Sequence, residues 1–230
     1  MMKALLAATL GLVLMMPSSI SAQTLRALPV DEGASNQSFS SFRSDLLQAI
    51  ERRDADYVVS QASSEIELSF GGASGHEDFR KLLTVGPNNL AEDYRHLAPQ
   101  MRAEYWANLE TTLRLGGRFQ EGGDVFVAPY TWSVDLPEYA DPFETYFVTG
   151  DGVALRGGPS KSGEVISRLS YDIVTMMDLG EVSAPYLKIR LNDDTTGFAH
   201  SDYLRSSVGY RAFFTSENGQ WKMTTFIAGD

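Results

Sequence analysis

The stretch from Val148 to Leu204 most constrains what this chain can fold into, because apolar and polar residues alternate there in runs too short for helices. Val153 and Leu155 alternate with Ala154 and Arg156 until Gly157-Gly158-Pro159-Ser160 breaks the run. Val165-Ile166 and Leu169 come next, then the apolar run Ile173-Val174-Thr175-Met176-Met177. Tyr186-Leu187-Lys188-Ile189-Arg190-Leu191 alternates again, Asn192-Asp193-Asp194 turns the chain, and Gly197-Phe198-Ala199 opens a last short strand. Short strands with turn residues about every eight to twelve positions predict a small all-β sandwich or barrel.

The order of these motifs resembles the bacterial SH3 (SH3b) family. The family's opening strand and Gly-Pro-Ser turn correspond to Val153 through Ser160, and its paired aliphatics to Val165-Ile166. Its hydrophobic strand corresponds to Ile173 through Met176, its aromatic-x-Lys-aliphatic strand to Tyr186-Leu187-Lys188-Ile189, and its closing motif to Gly197-Phe198-Ala199 through Tyr203-Leu204. The family usually carries Trp where Tyr186 stands. The resemblance implies an SH3-like barrel that binds and does not catalyse. Its expected ligand groove is walled by Tyr171, Tyr186, Phe198 and Tyr203, with Arg156 and Asp202 at the rim. Such a mix of aromatic walls and a few placed polar groups is usual in recognition sites.

The first residues carry an address. Lys3 supplies a positive charge, Ala4 to Met16 is apolar apart from Thr9 and Gly11, and Pro17 to Ala22 is a small-residue exit. This predicts a secretory signal peptide over 1–22, cleaved after Ala22. The apolar run is too short to cross a bilayer, which takes about twenty residues, so no membrane span is expected after cleavage. No cysteine occurs, so a disulfide framework and a lipid-anchor cysteine are both excluded. The SH3b resemblance points to a bacterium, hence to a periplasmic protein. Loss of Lys3 would leave 18 basic against 30 acidic residues. That balance argues against nucleic acid, whose binding rests on neutralising phosphates.

Outside the barrel segment the chain reads as α+β. Residues 23–37 are polar and are expected to form a flexible leader. Phe39, Phe42, Leu46 and Ile50 recur at helical spacing, and Asp54 can cap a short helix through Tyr57, Val58 and Val59. Ile66 to Phe70 alternates as a strand that stops at Gly71-Gly72. Ser74 and Glu77 form a capping-box signature for a helix through Phe79, Leu82 and Leu83. Pro99 suits the first turn of a longer helix bearing Met101, Tyr105, Leu109 and Leu113 and ending at Gly116-Gly117. Phe126, Ala128, Tyr130, Trp132 and Val134 alternate as a half-buried strand. Finally Tyr210, Ala212 and Phe214 alternate, Asn218-Gly219 signals a hairpin, and Trp221, Met223, Thr225 and Ile227 alternate again. A lone hairpin is marginal in water, so it must join a sheet.

The expected architecture is an α+β domain with an antiparallel sheet over 38–146, completed by the hairpin 208–230. An SH3b barrel over 147–206 is inserted into it. Phe42 to Phe70, with Arg52-Arg53-Asp54-Ala55-Asp56 between helix and strand, together with the closing Trp221 strand, resembles the NTF2-like superfamily.

Catalytic signals are sparse. His76-Glu77 begins like the zinc motif H-E-x-x-H, but Arg80 stands where the second His belongs, and no metal ligand set or cofactor is expected. His76 is expected in the first turn of a helix and His200 in a surface loop. Gly157 to Gly163 lacks the Gly-Lys-Ser/Thr ending of a phosphate loop and reads as a turn. Asp54, Asp56, Glu77 and Asp78 have general acid–base chemistry, but beside Arg52, Arg53 and Arg80 they read as solvated helix ends. No catalytic residue is assigned. The expectation is an exported non-enzymatic protein whose SH3b module recognises peptidoglycan stem peptides or an envelope protein. The alternative is an NTF2-like small-molecule carrier or enzyme with the barrel as scaffold.

Overall fold

A computed structural model describes residues 25–70, 72–120, 122–178 and 184–229. The expected signal peptide and the first leader residues lie outside them, as does Gly71. No helix among the described residues is long and apolar enough to cross a membrane.

Helix α1 (Gln37–Glu51) starts because the Asn36 side chain accepts the Phe39 N–H at 3.1 Å. It buries Phe39, Leu46, Ala49 and Ile50 along one stripe. Helix α2 (Ala55–Ser60) is capped by Asp54, which accepts the Tyr57 N–H at 3.0 Å. Strand β1 (Ala62–Glu67) leads to α3 (Gly75–Leu83) and then α4 (Ala98–Arg114). Strands β2 (Arg118–Phe119) and β3 (Val125–Ala128) follow. Seven strands come next: β4 (Thr145–Val148), β5 (Val153–Arg156), β6 (Val165–Leu169), β7 (Ile173–Met176), β8 (Tyr186–Arg190), β9 (Thr196–His200) and β10 (Leu204–Ser206). The chain ends with β11 (Arg211–Glu217) and β12 (Gln220–Ile227), joined at Asn218-Gly219, both at positive φ as a tight hairpin turn requires.

The fold is α+β with two sheets. The first has strand order β1-β12-β11-β3-β2. It is mixed, and not purely antiparallel as the sequence suggested, because β1 pairs with β12 in parallel. The long chain path between those two strands permits that pairing. The hairpin joins the early strand as expected, with Ala212 opposite Ala128 and Thr215 opposite Val125. The second sheet has order β10-β4-β7-β8-β9-β5-β6, antiparallel throughout, and all its strands lie between β3 and β11 in the chain. It ends at β10 and β6, and no pairing closes it into a barrel among the described residues. Two of its motif residues, Val165 and Ile166, are exposed because a bulge disturbs the β5–β6 register beside them. The sheet also begins at Thr145, two residues before the expected boundary.

Each sheet has its own core. Helix α1 lays Phe39 on the first sheet, 4.1 Å from Phe126, 5.0 Å from Trp221 and 5.5 Å from Phe214 between ring centroids. The second sheet buries Val148, Val153, Leu155, Val174, Leu187, Ile189 and Ala199 on its inner face. Phe147 and Ile173 face the other way and pack with Ala27 and Tyr130. From Leu25 onward the supposed leader is therefore ordered. Ala27 donates to the Tyr171 carbonyl at 2.8 Å, Ile173 donates to Leu25 at 2.9 Å, and Glu32 accepts the Phe119 N–H at 2.8 Å. The joint between the sheets also holds a buried cation. Arg205 of β10 donates to Thr112 of α4 at 3.0 Å and to the Tyr210 carbonyl, and burial lowers its guanidinium to about 10.

Several local expectations are corrected. The strand over 126–134 stops at Ala128, since Pro129 has no N–H for the ladder, and Tyr130–Ser133 forms a 3-10 turn. The strand placed at 66–70 runs instead over Ala62–Glu67, and Phe70 is exposed. The capping box at Ser74 and Glu77 is not made: Asp78 accepts the Ser74 N–H at 3.2 Å. Met101 is exposed while Trp106 takes its place in the core. In β12 a bulge after Met223 reverses the alternation, so Phe226, and not Thr225, joins Trp221 and Met223 in the first core, while Ile227 is buried as expected but outside that cluster.

Candidate functional site

Alternation in the second sheet decides which side chains reach water. Val153, Leu155, Leu187, Ile189 and Ala199 point inward, so Ala154, Arg156, Tyr186, Lys188, Phe198 and His200 line the opposite face. Register then gathers them: His200 lies opposite Tyr186, Phe198 opposite Lys188 and Arg156, and Arg168 opposite Ala154. The turn Asp151-Gly152 and the 3-10 turn Ser201–Tyr203 rise on either side. The result is an open cleft of about 420 Å³, lined among others by Arg156, Lys161, Arg168, Tyr186, His200 and Tyr203.

Of the six residues singled out from the sequence, four line this cleft: Arg156, Tyr186, Asp202 and Tyr203. Phe198 sits one row along β9 beside Arg156 and does not line it. Tyr171 does not line it either; it occupies the turn before β7 at φ +61, with its carbonyl turned to Ala27. His200 is not in a surface loop but ends β9 within the cleft. It was findable, because alternation puts it on the same face as Phe198. Lys161, Arg168 and Asp151 were missed: Lys161 lies in a turn, and the β6 bulge hides the register of Arg168.

The polar groups are fixed from behind. Arg156 donates to the Gly163 carbonyl at 2.8 Å and Arg168 to the Gly152 carbonyl at 2.9 Å. Both guanidiniums are thus positioned without neutralisation. Among the described residues neither they nor Lys161 lie within ion-pair distance of a carboxylate. Of the two carboxylates lining the cleft, Asp151 accepts the Ser170 hydroxyl, and Asp202 Oδ2 lies 3.5 Å from His200 Nδ1. That same Nδ1 accepts the Asp202 N–H at 3.3 Å. The Tyr186 ring meets the imidazole edge-on, with centroids 5.0 Å apart. Such a cleft offers forked cationic donors for a carboxylate and aromatic surface for whatever carries it.

The acid–base candidates of the helical half stand elsewhere: Asp54 caps α2, and the other three lie in surface ion pairs. Asp56 pairs with Arg80, and Lys81 lies 2.8 Å from Glu77 and 3.2 Å from Asp78. The hydrogen bond from Lys81, with that from the Ser74 N–H, holds the Asp78 carboxyl below the ordinary aspartate value. No group of three His, Cys, Asp or Glu that could hold a metal ion occurs among the described residues. Comparison of the chain with protein-family models, curated proteins and solved structures gives no match.

Proposed function

We propose that this chain is an exported, non-enzymatic binding protein acting in the bacterial envelope. In this reading the seven-stranded sheet is an SH3b-type module inserted into an NTF2-like α+β unit. Its cleft receives a carboxylate-bearing peptide, either a peptidoglycan stem peptide or a segment of an envelope protein. The observation that carries the reading is the convergence of Arg156, Lys161 and Arg168, none paired with a carboxylate, beside Tyr186, His200 and Tyr203. In a chain with 30 acidic and 19 basic residues, that local surplus of cations favours an anionic ligand. The carrier alternative draws no support from the interior between α1 and the first sheet, which Phe39, Phe126, Phe214 and Trp221 fill.

The test is co-sedimentation with purified peptidoglycan sacculi over a range of salt. Salt should weaken binding, since the contacts lie near the surface. The double variant Lys161→Gln, Arg168→Gln should stay in the supernatant while keeping its near-ultraviolet circular dichroism. Sedimentation equal to the parent's, or none by the parent with either sacculi or an envelope extract, would remove the proposal.

A further inference from the structure

The corner between α1 and α2 holds an arginine where helix ends favour glycine. The Arg53 N–H donates to Ile50 O at 3.0 Å and the Asp54 N–H to Ala49 O at 2.9 Å, the two bonds of a Schellman closure. This closure places Arg53 at φ +56, in the left-handed region. Its side chain crosses to α4, where the guanidinium carbon lies 5.3 Å from the centroid of the Trp106 ring. Trp106 is itself pinned, its indole N–H donating to Leu83 O at 2.9 Å at the end of α3. One turn earlier on α4, Arg102 donates to Val85 O at 3.0 Å.

These side chains border a cleft of about 410 Å³ whose remaining walls are Leu83, Thr84, Pro99 and Ala103. That volume suits a small molecule. None of the lining residues is acidic, and among the described residues neither arginine lies within ion-pair distance of a carboxylate. We infer that this is a second ligand site, independent of the cleft on the seven-stranded sheet, and that it takes a small organic acid. The carboxylate lies between Arg53 and Arg102, and the apolar body rests on Leu83, Pro99 and Ala103. The pairing of walls sets the class. A bare inorganic anion would leave the apolar walls unused, and a neutral apolar molecule would strip water from two guanidiniums without replacing it. Arginine suits the role because its planar fork can hold both carboxylate oxygens.

Benzoate is the probe, titrated into 15N-labelled protein while the assigned Trp106 indole N–H and the Thr84 amide are followed. The expected result is a saturable shift at both, weakened by salt and unchanged in the Lys161→Gln, Arg168→Gln variant. Arg53→Gly separates a ligand role from a structural one. Glycine fits the left-handed corner, so the variant should melt no lower than the parent, yet bind benzoate about tenfold more weakly, as loss of a charge-assisted hydrogen bond implies. Four results would overturn the inference: no saturable shift, shifts confined to Tyr186 and His200, unchanged affinity in Arg53→Gly, or inorganic phosphate binding as tightly as benzoate.

Discussion

Replacing Phe214 with alanine tests the account of the first core. The ring is fully buried at the middle of β11, with centroids of Phe39, Phe42 and Phe126 at 5.5, 5.9 and 6.4 Å. Its strand is hydrogen-bonded on both sides, to β12 and to β3, so the backbone cannot sink into the hole left behind. Burying a large aromatic and then removing it costs about 3–5 kcal/mol, rising with the residual cavity. Because relaxation is restricted here, the upper half of that range is expected. For a chain of this length each kcal/mol lowers Tm by roughly 2–4 °C, so the drop should be about 8–20 °C. Urea titration gives the free energy, and limited proteolysis with mass spectrometry gives its location. New cuts should appear first within residues 37–128 and 211–227, while residues 145–206, with a separate core, stay protected. Phe70→Ala is the control: that residue is 59% exposed and meets Arg211 in a cation–π contact at 5.5 Å, worth about 1 kcal/mol or less. A loss below about 1 kcal/mol for Phe214→Ala, or first cleavage within 145–206, would refute the reasoning.

Two further substitutions probe single groups. Asp54→Ala deletes the cap of a helix only six residues long and should cost about 1 kcal/mol by urea titration; an unchanged midpoint would mean that water replaces the cap. Tyr130→Phe removes a buried hydroxyl that has no hydrogen-bond partner, so stability at neutral pH should rise by about 1 kcal/mol. Burial pushes the Tyr130 phenol up to about 12 from its ordinary value of about 10. Between those values the unfolded chain releases a proton that the native state keeps. The native state of the parent therefore loses stability as pH rises through this window, while the benefit is complete below it. The Phe variant should show a shallower alkaline slope over that interval, measured by urea midpoints at several pH values. A less stable variant would mean that the hydroxyl is satisfied, and an unchanged or steeper slope that burial does not raise the phenol.

The elements that sequence revealed are those whose determinants are local. The stripe Phe39, Leu46, Ile50 specifies α1, Asp54 specifies the start of α2, and Asn218-Gly219 specifies the hairpin. What stayed hidden depends on distant partners. Polar composition suggested a loose leader, but Ala27 and Glu32 are ordered by Tyr171 and Phe119 far along the chain. The parallel pairing of β1 with β12 comes from opposite ends of the protein and leaves no local mark. Bulges matter most. One extra residue in β12 sends Phe226 inward in place of Thr225, an inversion that strict alternation cannot anticipate.

The same distinction explains the two clefts. Period-two alternation finds the face of a sheet, and it puts Arg156, Tyr186 and His200 on one side from the sequence alone. It cannot place a turn residue such as Lys161, or a residue beyond a bulge such as Arg168. Arg53 shows the limit more sharply. Beside Asp54 and Asp56 it reads as part of a solvated helix end, and nothing local says that a left-handed corner aims its side chain at Trp106 on another helix. Charge in a sequence is therefore informative mainly as a balance, and a site emerges where folding concentrates the minority sign. In this acidic chain the folding does so twice, once beside aromatic surface on a sheet and once over apolar walls between helix ends. The two surroundings differ in kind, which is why the proposed ligand is a peptide at the first and a small organic acid at the second.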